Sequence, residues 1–339
     1  MSKIKYFLAL LLVIMFIAGC KQGKIEEKKP LKIGVNVFPG LGYIFIAQEK
    51  GFFKKNGVDV EIVLNEDYLA VQEQFADDDL DGAFMVYTDA IYANGHGIDV
   101  RVVYISDHSV SGDVIVSKPE FTTVEDLEGK TISVEGINSF SHVFVLSVLQ
   151  KHGLSDGDFF IKSIGAQEVV DALERGDIDA GHTYGPGKTI AKEKGYTYLA
   201  YSGDVSGIIT DILAFHEKII KMRPDDIKAV VKSLFEAKRF QETNRVEALE
   251  IIAKAIKDTP ESIGVGIDAV KYLDEKENAY AMYEDIEEEE EEVLSLIESG
   301  KIIADFYLTR GQISSIPDFN DIIDPRFVNE LAAVSQENK

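Results

Sequence analysis

The sequence predicts an α/β fold built from two similar lobes. From Leu31 onward, short apolar runs alternate with helical patterns, which is the order expected of a sheet with parallel strands. Parts of this order return later in the chain. Lys32–Val35 is echoed by Thr131–Val134, and Asp79–Ala83 by Asp177–Gly181, at offsets of 99 and 98 residues. Two strong strands bracket the second copy, which indicates a second lobe inserted into the first.

These two strands mark where the chain is expected to pass between the lobes. Gly112–Ser117 precedes the second copy of the pattern, and Ile208–Phe215 follows it. If both strands cross, they form a two-strand hinge beside a cleft. We therefore expect residues 31–116 and 212–339 to form lobe I, and residues 117–211 to form lobe II with the return crossover.

The first lobe opens with a strand–helix–strand unit. Leu31–Val35 and Val58–Val63 alternate as strands, and Tyr43–Glu49 is predicted to be helical. A further helix over about residues 70–75 leads into a strand at Leu80–Phe84. We expect these strands to be parallel, because helices connect them.

The chain after Phe215 is predicted to be mostly helical. Pro224 suits a first helical position, with two aspartates in the first turn and apolar residues at helical spacing behind it. Thr259–Pro260 marks a second helix start. Such helices would pack back on the first lobe. The six consecutive acids Glu287–Glu292 indicate a solvated helix face rather than a cation site.

A polar turn between a strand and an apolar helix is the main candidate binding element. Lys130–Val134 is predicted to be a strand, and the helix follows from Phe140. In an open α/β sheet such a turn lies in the ligand crevice, where the free amides of a helix start can hold an anion or a polar head group. Side chains add donors, acceptors and a titratable ring, from Asn138, Ser139, Ser141 and His142. The alternative is that Ser139 only caps its own helix.

The first residues have the pattern of a secretory signal. Two lysines precede the apolar run Tyr6–Ala18, which is short for a membrane-spanning helix. The run closes on Ile17–Cys20, which resembles a bacterial lipobox. We therefore expect residues 1–19 to be a lipoprotein signal peptide, Cys20 to receive lipid, and residues 20–30 to be a tether. More than one acyl chain would anchor the protein stably. The alternative is an ordinary signal peptide with an incidental cysteine.

Composition excludes several classes of function. Cys20 is the only cysteine in 339 residues, so the mature chain has neither a disulfide nor thiol chemistry in its fold. Removal of residues 1–19 takes away two lysines and changes the formal net charge from −24 to −26. A surface this acidic disfavours nucleic acid and anionic lipid head groups as partners. An anionic ligand would need local donors against this background.

Motifs of metal and nucleotide chemistry are weak or absent in the sequence. Asp77–Gly82 imitates the first half of a calcium-binding EF-hand loop, but Thr88 stands where a bidentate glutamate is needed. The six histidines show no HExxH spacing and have no cysteine partners. No P-loop, GxSxG elbow or dinucleotide fingerprint occurs. We therefore expect no metal and no cofactor.

Several segments resemble, in order, the SsuA/THI5-like (NMT1-type) solute-binding proteins of ABC importers. The matching segments lie between about Leu31 and Leu331 and are Gly42–Phe53, Gly57–Val60, Leu127–Val134, Ala172–Ala180 and Asp324–Phe327. The resemblance implies a type II periplasmic-binding-protein fold, in which two α/β lobes are joined by two crossover strands and clasp a ligand between them. It also implies ligand-binding positions on the turns of both lobes. These positions are Tyr43, Tyr87, Thr88, His108, Ser111, Asn138, Ser139, Phe140, Ser141, His142, Tyr184 and Asp211.

The function implied by the resemblance is capture of a small solute for import. The expected partners are an ABC permease with its ATPase and, through Cys20, the membrane. The protein would act as a monomer on the outer face of the cytoplasmic membrane or in the periplasm. Amides and hydroxyls would suit a sulfonate or nitrate, whereas tyrosines and Asp211 would suit an amino-bearing heterocycle such as a pyrimidine.

Two other functions are open to a chain of this pattern. Some members of the family make the thiamine pyrimidine, but they rely on a cysteine-rich motif that this chain does not match, so we expect no enzyme activity. A ligand sensor that signals to a partner protein instead of a permease is the second alternative.

Overall fold

The computed structural model describes residues 28–283, 286–287, 292–293 and 295–337. The predicted signal peptide, Cys20 and most of the predicted tether lie outside the described residues, and so does most of the acidic run Glu287–Glu292. From Leu31 onward, the described residues form one compact unit.

The described strands form two main sheets and one short ribbon. In chain order they are β1 (Leu31–Asn36), β2 (Val60–Asn65), β3 (Gly82–Val86), β4 (Val100–Ser109), β5 (Val114–Ser117), β6 (Thr131–Val134), β7 (Phe160–Ser163), β8 (Ala180–Thr183), β9 (Thr197–Tyr201), β10 (Thr210–His216), β11 (Val270–Tyr272), β12 (Ile286–Glu287) and β13 (Glu292–Val293).

The described α-helices connect these strands and form the C-terminal third of the chain. They are α1 (Tyr43–Glu49), α2 (Phe52–Lys55), α3 (Tyr68–Ala76), α4 (Tyr87–Gly95), α5 (Phe140–Lys151), α6 (Val169–Arg175), α7 (Gly185–Glu193), α8 (Glu217–Met222), α9 (Pro224–Thr243), α10 (Arg245–Ile256), α11 (Pro260–Ile267), α12 (Glu275–Ala281), α13 (Leu296–Thr309) and α14 (Arg326–Glu337).

The first sheet combines parallel strands with antiparallel ones in the order β11-β4-β10-β3-β1-β2. Strand β1 pairs in parallel with β2 and β3, as the strand–helix–strand pattern predicts. Strand β10 runs antiparallel between β3 and β4. The parallel strands end at Asn36, Asn65 and Val86, so their carboxyl ends meet at the edge of the sheet where α/β proteins bind ligands.

The second sheet has the order β7-β6-β8-β5-β9. Strand β6 is parallel to β7 and β8, and β5 is antiparallel to β8 and β9. The expected boundary after residue 116 assigned β5 to the first lobe, whereas the structure places it in the second sheet. The strand is buried along its whole length and paired on both edges there, so the chain leaves the first sheet after Ser109.

Two short connections join the sheets, beside the strands that were expected to cross. They are residues 110–113, between β4 and β5, and residues 202–209, between β9 and β10. Backbone hydrogen bonds hold them together, from Gly203 N to Val110 O at 2.7 Å and from Ser202 N to Asp113 O at 3.0 Å. Two paired connections of this kind form a hinge.

Most predicted elements are present with shifts of about two residues. Helix α1 has the predicted bounds, and α9 begins at Pro224. The side chain of Thr259 caps α11 by accepting a hydrogen bond from Ser262 N at 3.2 Å. The helix expected over the acidic run is wrong at its described ends, because β12 and β13 pair as an antiparallel ribbon. Like charges three and four residues apart would have repelled each other in a helix.

The helices after β10 pack back on the first lobe, as expected. Helix α9 packs against α1 and buries an apolar face that consists of Ile227, Val230, Val231, Leu234 and Phe235. Burial of each such side chain contributes roughly 1.5–3 kcal/mol. Within the described part of the chain, none of the helices combines the length and apolar character needed to cross a bilayer.

Candidate functional site

A narrow cleft lies at the junction of the two sheets. It opens at the carboxyl ends of β1 and β3 and beside the hinge, and the second lobe covers it with the start of α5 and the end of β8. Its lining residues are Asn36, Phe38, Tyr68, Val86, Asp113, Phe140, Tyr184, Ile209 and Asp211.

Aromatic rings from both lobes form the walls of the cleft. Phe38 meets Tyr184 with the ring centroids 6.1 Å apart, and Tyr68 meets Phe140 at 5.1 Å, each pair nearly edge to face. Each pair joins a first-lobe ring to a second-lobe ring. Edge-to-face pairs of this type add about 0.5–1.5 kcal/mol beyond burial of their area, so they stabilise the contact between the lobes.

Two acids lie directly opposite each other on adjacent strands at the base of the cleft. Asp211 of β10 pairs in register with Asp107 of β4, and Asp211 lines the cleft. The two carboxyls are close enough to share a single proton. Burial raises the pKa of both, and the neighbouring Asp107 raises the pKa of Asp211 further. With one shared proton, the pair therefore carries one negative charge instead of two.

Asp113 brings a further carboxyl to the cleft from the hinge. Its Oδ1 lies 2.9 Å from His182 Nε2, and its Oδ2 accepts a hydrogen bond from Ser109 Oγ at 2.6 Å. Ser109 Oγ also lies 2.9 Å from Ser202 Oγ on the other connection. Asp113 thus belongs to the cleft and to the hinge at once.

Glu135 lies behind the ring of Tyr184. The Tyr184 hydroxyl donates to Glu135 Oε1 at 3.1 Å, while Glu135 Oε2 is buried with no hydrogen-bond partner among the described residues. Burial raises the pKa of Glu135 to about 7. A further buried acid, Glu135, therefore lies behind the aromatic wall.

The helix start that was expected to hold an anionic ligand is already occupied by a carboxyl of the protein. Phe140 N, at the start of α5, donates to Asp89 Oδ1 of the first lobe at 3.2 Å. The other oxygen of Asp89 accepts the hydroxyl of Tyr68. Burial raises the pKa of Asp89 to about 7, against the lowering effect of these two hydrogen bonds. The amide of Phe140 is therefore engaged between the lobes.

The hydroxyls of the second-lobe turn are engaged within the turn itself. Ser139 Oγ donates to Gly136 O at 2.8 Å and makes no capping hydrogen bond, so the alternative capping role is wrong. Ser141 Oγ accepts a hydrogen bond from Glu135 N at 2.9 Å. Neither serine lines the cleft.

Asn138 and His142 form a contact with the C-terminal part of lobe I. Asn138 adopts a left-handed backbone conformation, with φ of 66°, which asparagine tolerates better than most residues. Its side chain donates to Gln312 Oε1 at 3.0 Å, and its carbonyl accepts from the Tyr307 hydroxyl at 2.8 Å. His142 Nδ1 accepts from Asn138 N at 3.0 Å, and burial lowers the pKa of His142 to about 4.

Three residues expected on first-lobe turns lie in the core. Tyr43 is fully buried, with its hydroxyl 2.7 Å from Ser106 Oγ. Ser106 in turn donates to the Asp107 carboxyl, so Tyr43 reaches the acid pair only indirectly. Tyr87 is also fully buried. Thr88 donates its hydroxyl to Ile208 O at 3.2 Å and so holds the return connection.

His108 and Ser111 lie next to the first connection. His108 Nδ1 is 2.8 Å from the hydroxyl of Thr210, its cross-strand neighbour. Burial lowers the pKa of His108 to about 3, so the ring is neutral. The carbonyl of Ser111 accepts a hydrogen bond from Lys188 Nζ. Neither residue lines the cleft.

The structure thus brings Phe140, Tyr184 and Asp211 of the expected set into the cleft. Asn36 also lines the cleft but was not among the predicted residues. It directly follows the predicted strand Leu31–Val35, so the rule that polar residues after a strand's carboxyl end lie in the ligand crevice would have predicted it. Asn36 is 6% exposed, and none of the described residues hydrogen-bonds to its side-chain amide. Phe38, Tyr68 and Asp113 were missed as well.

Comparisons with known proteins agree with this architecture. The periplasmic nitrate-binding protein NrtA from Synechocystis PCC 6803 superposes with a TM-score of 0.73 at 14% identity, over 91% of this chain and 89% of that one. This likeness confirms the predicted α/β periplasmic-binding-protein fold.

Two of the curated relatives match only part of the chain. The taurine-binding periplasmic protein of Escherichia coli K12 is 24% identical over 144 residues, 42% of this chain and 45% of that protein. A 4-amino-5-hydroxymethyl-2-methylpyrimidine phosphate synthase from Aspergillus parasiticus is 26% identical over 140 residues, 41% and 40% of the two chains. This chain therefore spans less than half the length of these two relatives.

A family model described as NMT1/THI5 like matches residues 39–241. The match begins in the turn after β1, includes the whole second lobe and both connections, and ends in α9. Because it spans more than half of the chain, the protein belongs to the NMT1/THI5-like family, as the resemblance predicts.

Proposed function

We propose that the protein is an extracytoplasmic solute-binding lipoprotein of an ABC importer, which captures a small organic solute between its lobes and delivers it to a permease. One observation supports this proposal above others. The cleft at the junction of the lobes has aromatic walls from both sides and contains the polar side chains of Asn36 and Asp211. Among the described residues, none forms a hydrogen bond with the Asn36 side chain, and Asp211 shares a proton only with Asp107.

Capture would work through closure about the hinge. Because rings of both lobes line the cleft, only the closed arrangement contacts a solute from two sides, and a solute shifts the population towards that arrangement. Contacts that close the structure without solute also exist. Phe140 N bonds to Asp89, and Arg310 forms a two-pronged ion pair with Asp156 at 2.6 and 2.8 Å. A permease would then recognise the closed form.

The membrane attachment is proposed to run through Cys20 and the tether of residues 20–30. Radiolabelled palmitate supplied to cells that express the full chain should appear in the protein, and Cys20→Ser should abolish the label. A labelled Cys20→Ser variant, or an unlabelled parent chain, would contradict lipid anchoring at this residue.

Solute capture is tested by titration calorimetry and thermal unfolding of the purified mature chain, because the sequence has no tryptophan to report on closure. The panel is taurine and other sulfonates, nitrate, amino-pyrimidines, flavins and aromatic amines. At least one class should raise the midpoint of unfolding, as ligand binding to the native state requires. Tyr184→Ala should abolish the effect. A panel without any response would contradict the proposal.

We expect no catalysis, although the family includes enzymes. Family members that make the thiamine pyrimidine rely on a cysteine-rich motif, and Cys20 is the only cysteine here. Formation of a pyrimidine product from pyridoxal phosphate in the presence of iron would contradict this expectation.

A further inference from the structure

None of the polar residues that line the cleft is basic. The polar lining residues besides the tyrosines are Asn36, Asp113 and Asp211. Asp211 is 94% buried, and its hydrogen-bond partner among the described residues is another acid, Asp107. An uncompensated buried carboxyl is costly unless a positive group pairs with it. The cleft therefore presents acidic groups and no basic side chain to a solute.

Two lysines that interact with acids near the cleft, Lys238 with Asp107 and Lys188 with Asp113, are engaged with backbone carbonyls. Lys238 Nζ donates to Leu273 O at 2.5 Å and lies 5.1 Å from the ring centre of Tyr272. Lys188 Nζ donates to Ser111 O. Neither lysine lines the cleft, so neither offers a solute anion an ion pair.

The helix start at the head of α5 does not replace a basic side chain. The amide at the start of α5 is taken by the Asp89 carboxyl. An anionic solute would have to displace Asp89 from that helix start and would then meet Asp211 and Asp113. Like charges in a buried site repel strongly, so the cleft is selective against sulfonate and nitrate.

The shape of the cleft favours a planar solute. Phe38, Tyr68, Phe140 and Tyr184 present ring edges and faces from both lobes. Aromatic side chains attract cations over their faces as well as flat rings. The unpartnered Asn36 amide can donate to and accept from the edge of such a ring.

We propose that the cleft binds a flat organic cation, with its positive edge on Asp211 and Asp113, its ring between the four aromatic side chains, and Asn36 on its hydrogen-bonding edge. This inference rests on the proposed function and assigns the class of solute. It decides between the alternatives that the sequence left open, against the sulfonate or nitrate class.

Arrival of a cation should release a proton. The groups that face Asp211 are Asp107 with Lys238 behind it, Asp113, Asp89 and the ring of Tyr272. A cation on Asp211 replaces the proton that it shares with Asp107, and that proton passes to the solvent. The raised pKa of the pair agrees with this exchange. Affinity should therefore increase as pH rises from about 5 to 8.

The test uses three probes of one shape and different charge, which are benzamidine, benzamide and benzoate. Titration calorimetry of the mature chain should give the tightest binding for benzamidine, at least tenfold weaker binding for benzamide, and none for benzoate or taurine. Benzamidine titrated in buffers of different ionisation enthalpy should show release of protons near pH 6.

Variants locate the effect in the cleft. Asp211→Asn keeps the size of the side chain and can donate to Asp107, and it should weaken benzamidine binding at least tenfold and reduce proton release. The matched control Asp59→Asn removes the same charge at an exposed position, and it should leave binding within twofold. Preservation of benzamidine affinity in Asp211→Asn would overturn the assignment.

The outcomes separate the solute class from the function. Binding of benzoate or taurine without binding of benzamidine would overturn the cation class and would leave solute capture intact. Failure of these probes together with every member of the broader panel would overturn both proposals. Tightest binding of benzamidine with proton release supports both.

Discussion

The two lobes differ in whether their polar groups at the cleft already have partners. The second-lobe turn has its hydrogen-bonding groups satisfied by its own residues or by lobe I, through Ser139 to Gly136, Ser141 to Glu135, and Phe140 N to Asp89. Among the described residues, the side chain of Asn36 at the first-lobe edge has no hydrogen-bond partner, and that of Asp211 has another acid as its partner. The comparison supports the proposal that the first lobe would supply hydrogen bonds to a solute, whereas both lobes contribute aromatic rings.

The largest effect expected from this difference is on the pH dependence of stability. Asp89 and Glu135 have pKa values raised by burial to about 7, above those of the unfolded chain. These two carboxyls therefore hold extra protons in the folded state between about pH 4 and 7, and their contribution to the free energy of unfolding should fall as pH rises through this window. Each tenfold change in proton affinity corresponds to about 1.4 kcal/mol, so the fall should amount to a few kcal/mol. The lowered pKa values of His108 and His142 act in the opposite direction.

Urea unfolding at a series of pH values measures this dependence. Asp89→Asn keeps an acceptor for Phe140 N but removes the titration, and it should flatten the curve, whereas the exposed Asp59→Asn should not. An Asp89→Asn variant with the same pH dependence as the parent chain would contradict the role assigned to burial of Asp89.

Substitution on the first-lobe edge should affect affinity and spare stability. Asn36→Ala removes a side-chain amide that forms no hydrogen bond with the described residues, so it should weaken benzamidine binding by about 1–3 kcal/mol with little change in unfolding. Asn65 pairs with Asn36 across β1 and β2 but does not line the cleft. Asn65→Ala is therefore the control, and calorimetry of both variants makes the comparison. Equal losses in the two variants would remove Asn36 from the site.

Substitution in the second-lobe turn should lower stability and spare affinity. Ser141→Ala deprives the buried Glu135 N of its acceptor, which should lower the free energy of unfolding by about 1–3 kcal/mol. Ser147 lies on the same helix α5 and does not line the cleft, so Ser147→Ala should change stability by less than about 0.5 kcal/mol. Denaturant unfolding distinguishes the two. A Ser141→Ala variant of unchanged stability would show that the turn is not held as described.

The smallest effect concerns the ion pair across the lobes. Arg310 in lobe I binds Asp156 in lobe II, and Asp156 is half exposed, so the pair contributes about 0.2–1 kcal/mol at most. Arg310→Ala should shift the population slightly towards the open form, which small-angle scattering would register as a larger radius of gyration. Arg245→Ala breaks a similar pair with Asp268 inside lobe I and should leave the radius unchanged. Equal radii for both variants would count against a closing role of Arg310.

Most of the fold could be predicted from the sequence, because strands and helix starts leave local patterns in the chain. Apolar alternation located β1 and β6, and Pro224 and Thr259 located two helix starts. The boundary between the lobes was less accessible. Strand β5 has the same apolar pattern whichever sheet it joins, and only its pairing with β8 and β9 assigns it to the second.

The site was accessible only in part, because a sequence does not show which polar groups already have partners. The turn at Asn138–His142 has the composition of a binding turn, yet its partners come from elsewhere, including Asp89, which lies 51 residues before Phe140. Tyr43 likewise follows a strand but points its hydroxyl at Ser106 in the core. Long-range contacts of this kind follow from packing and leave no local pattern.

Asp113 links the cleft directly to the hinge between the lobes. The same carboxyl that faces the cleft is tied through Ser109 to both chain segments of the pivot. A solute that binds to this carboxyl would therefore act on the hinge through a single residue. Under the proposed function, Asp113 would couple solute binding to the angle between the lobes.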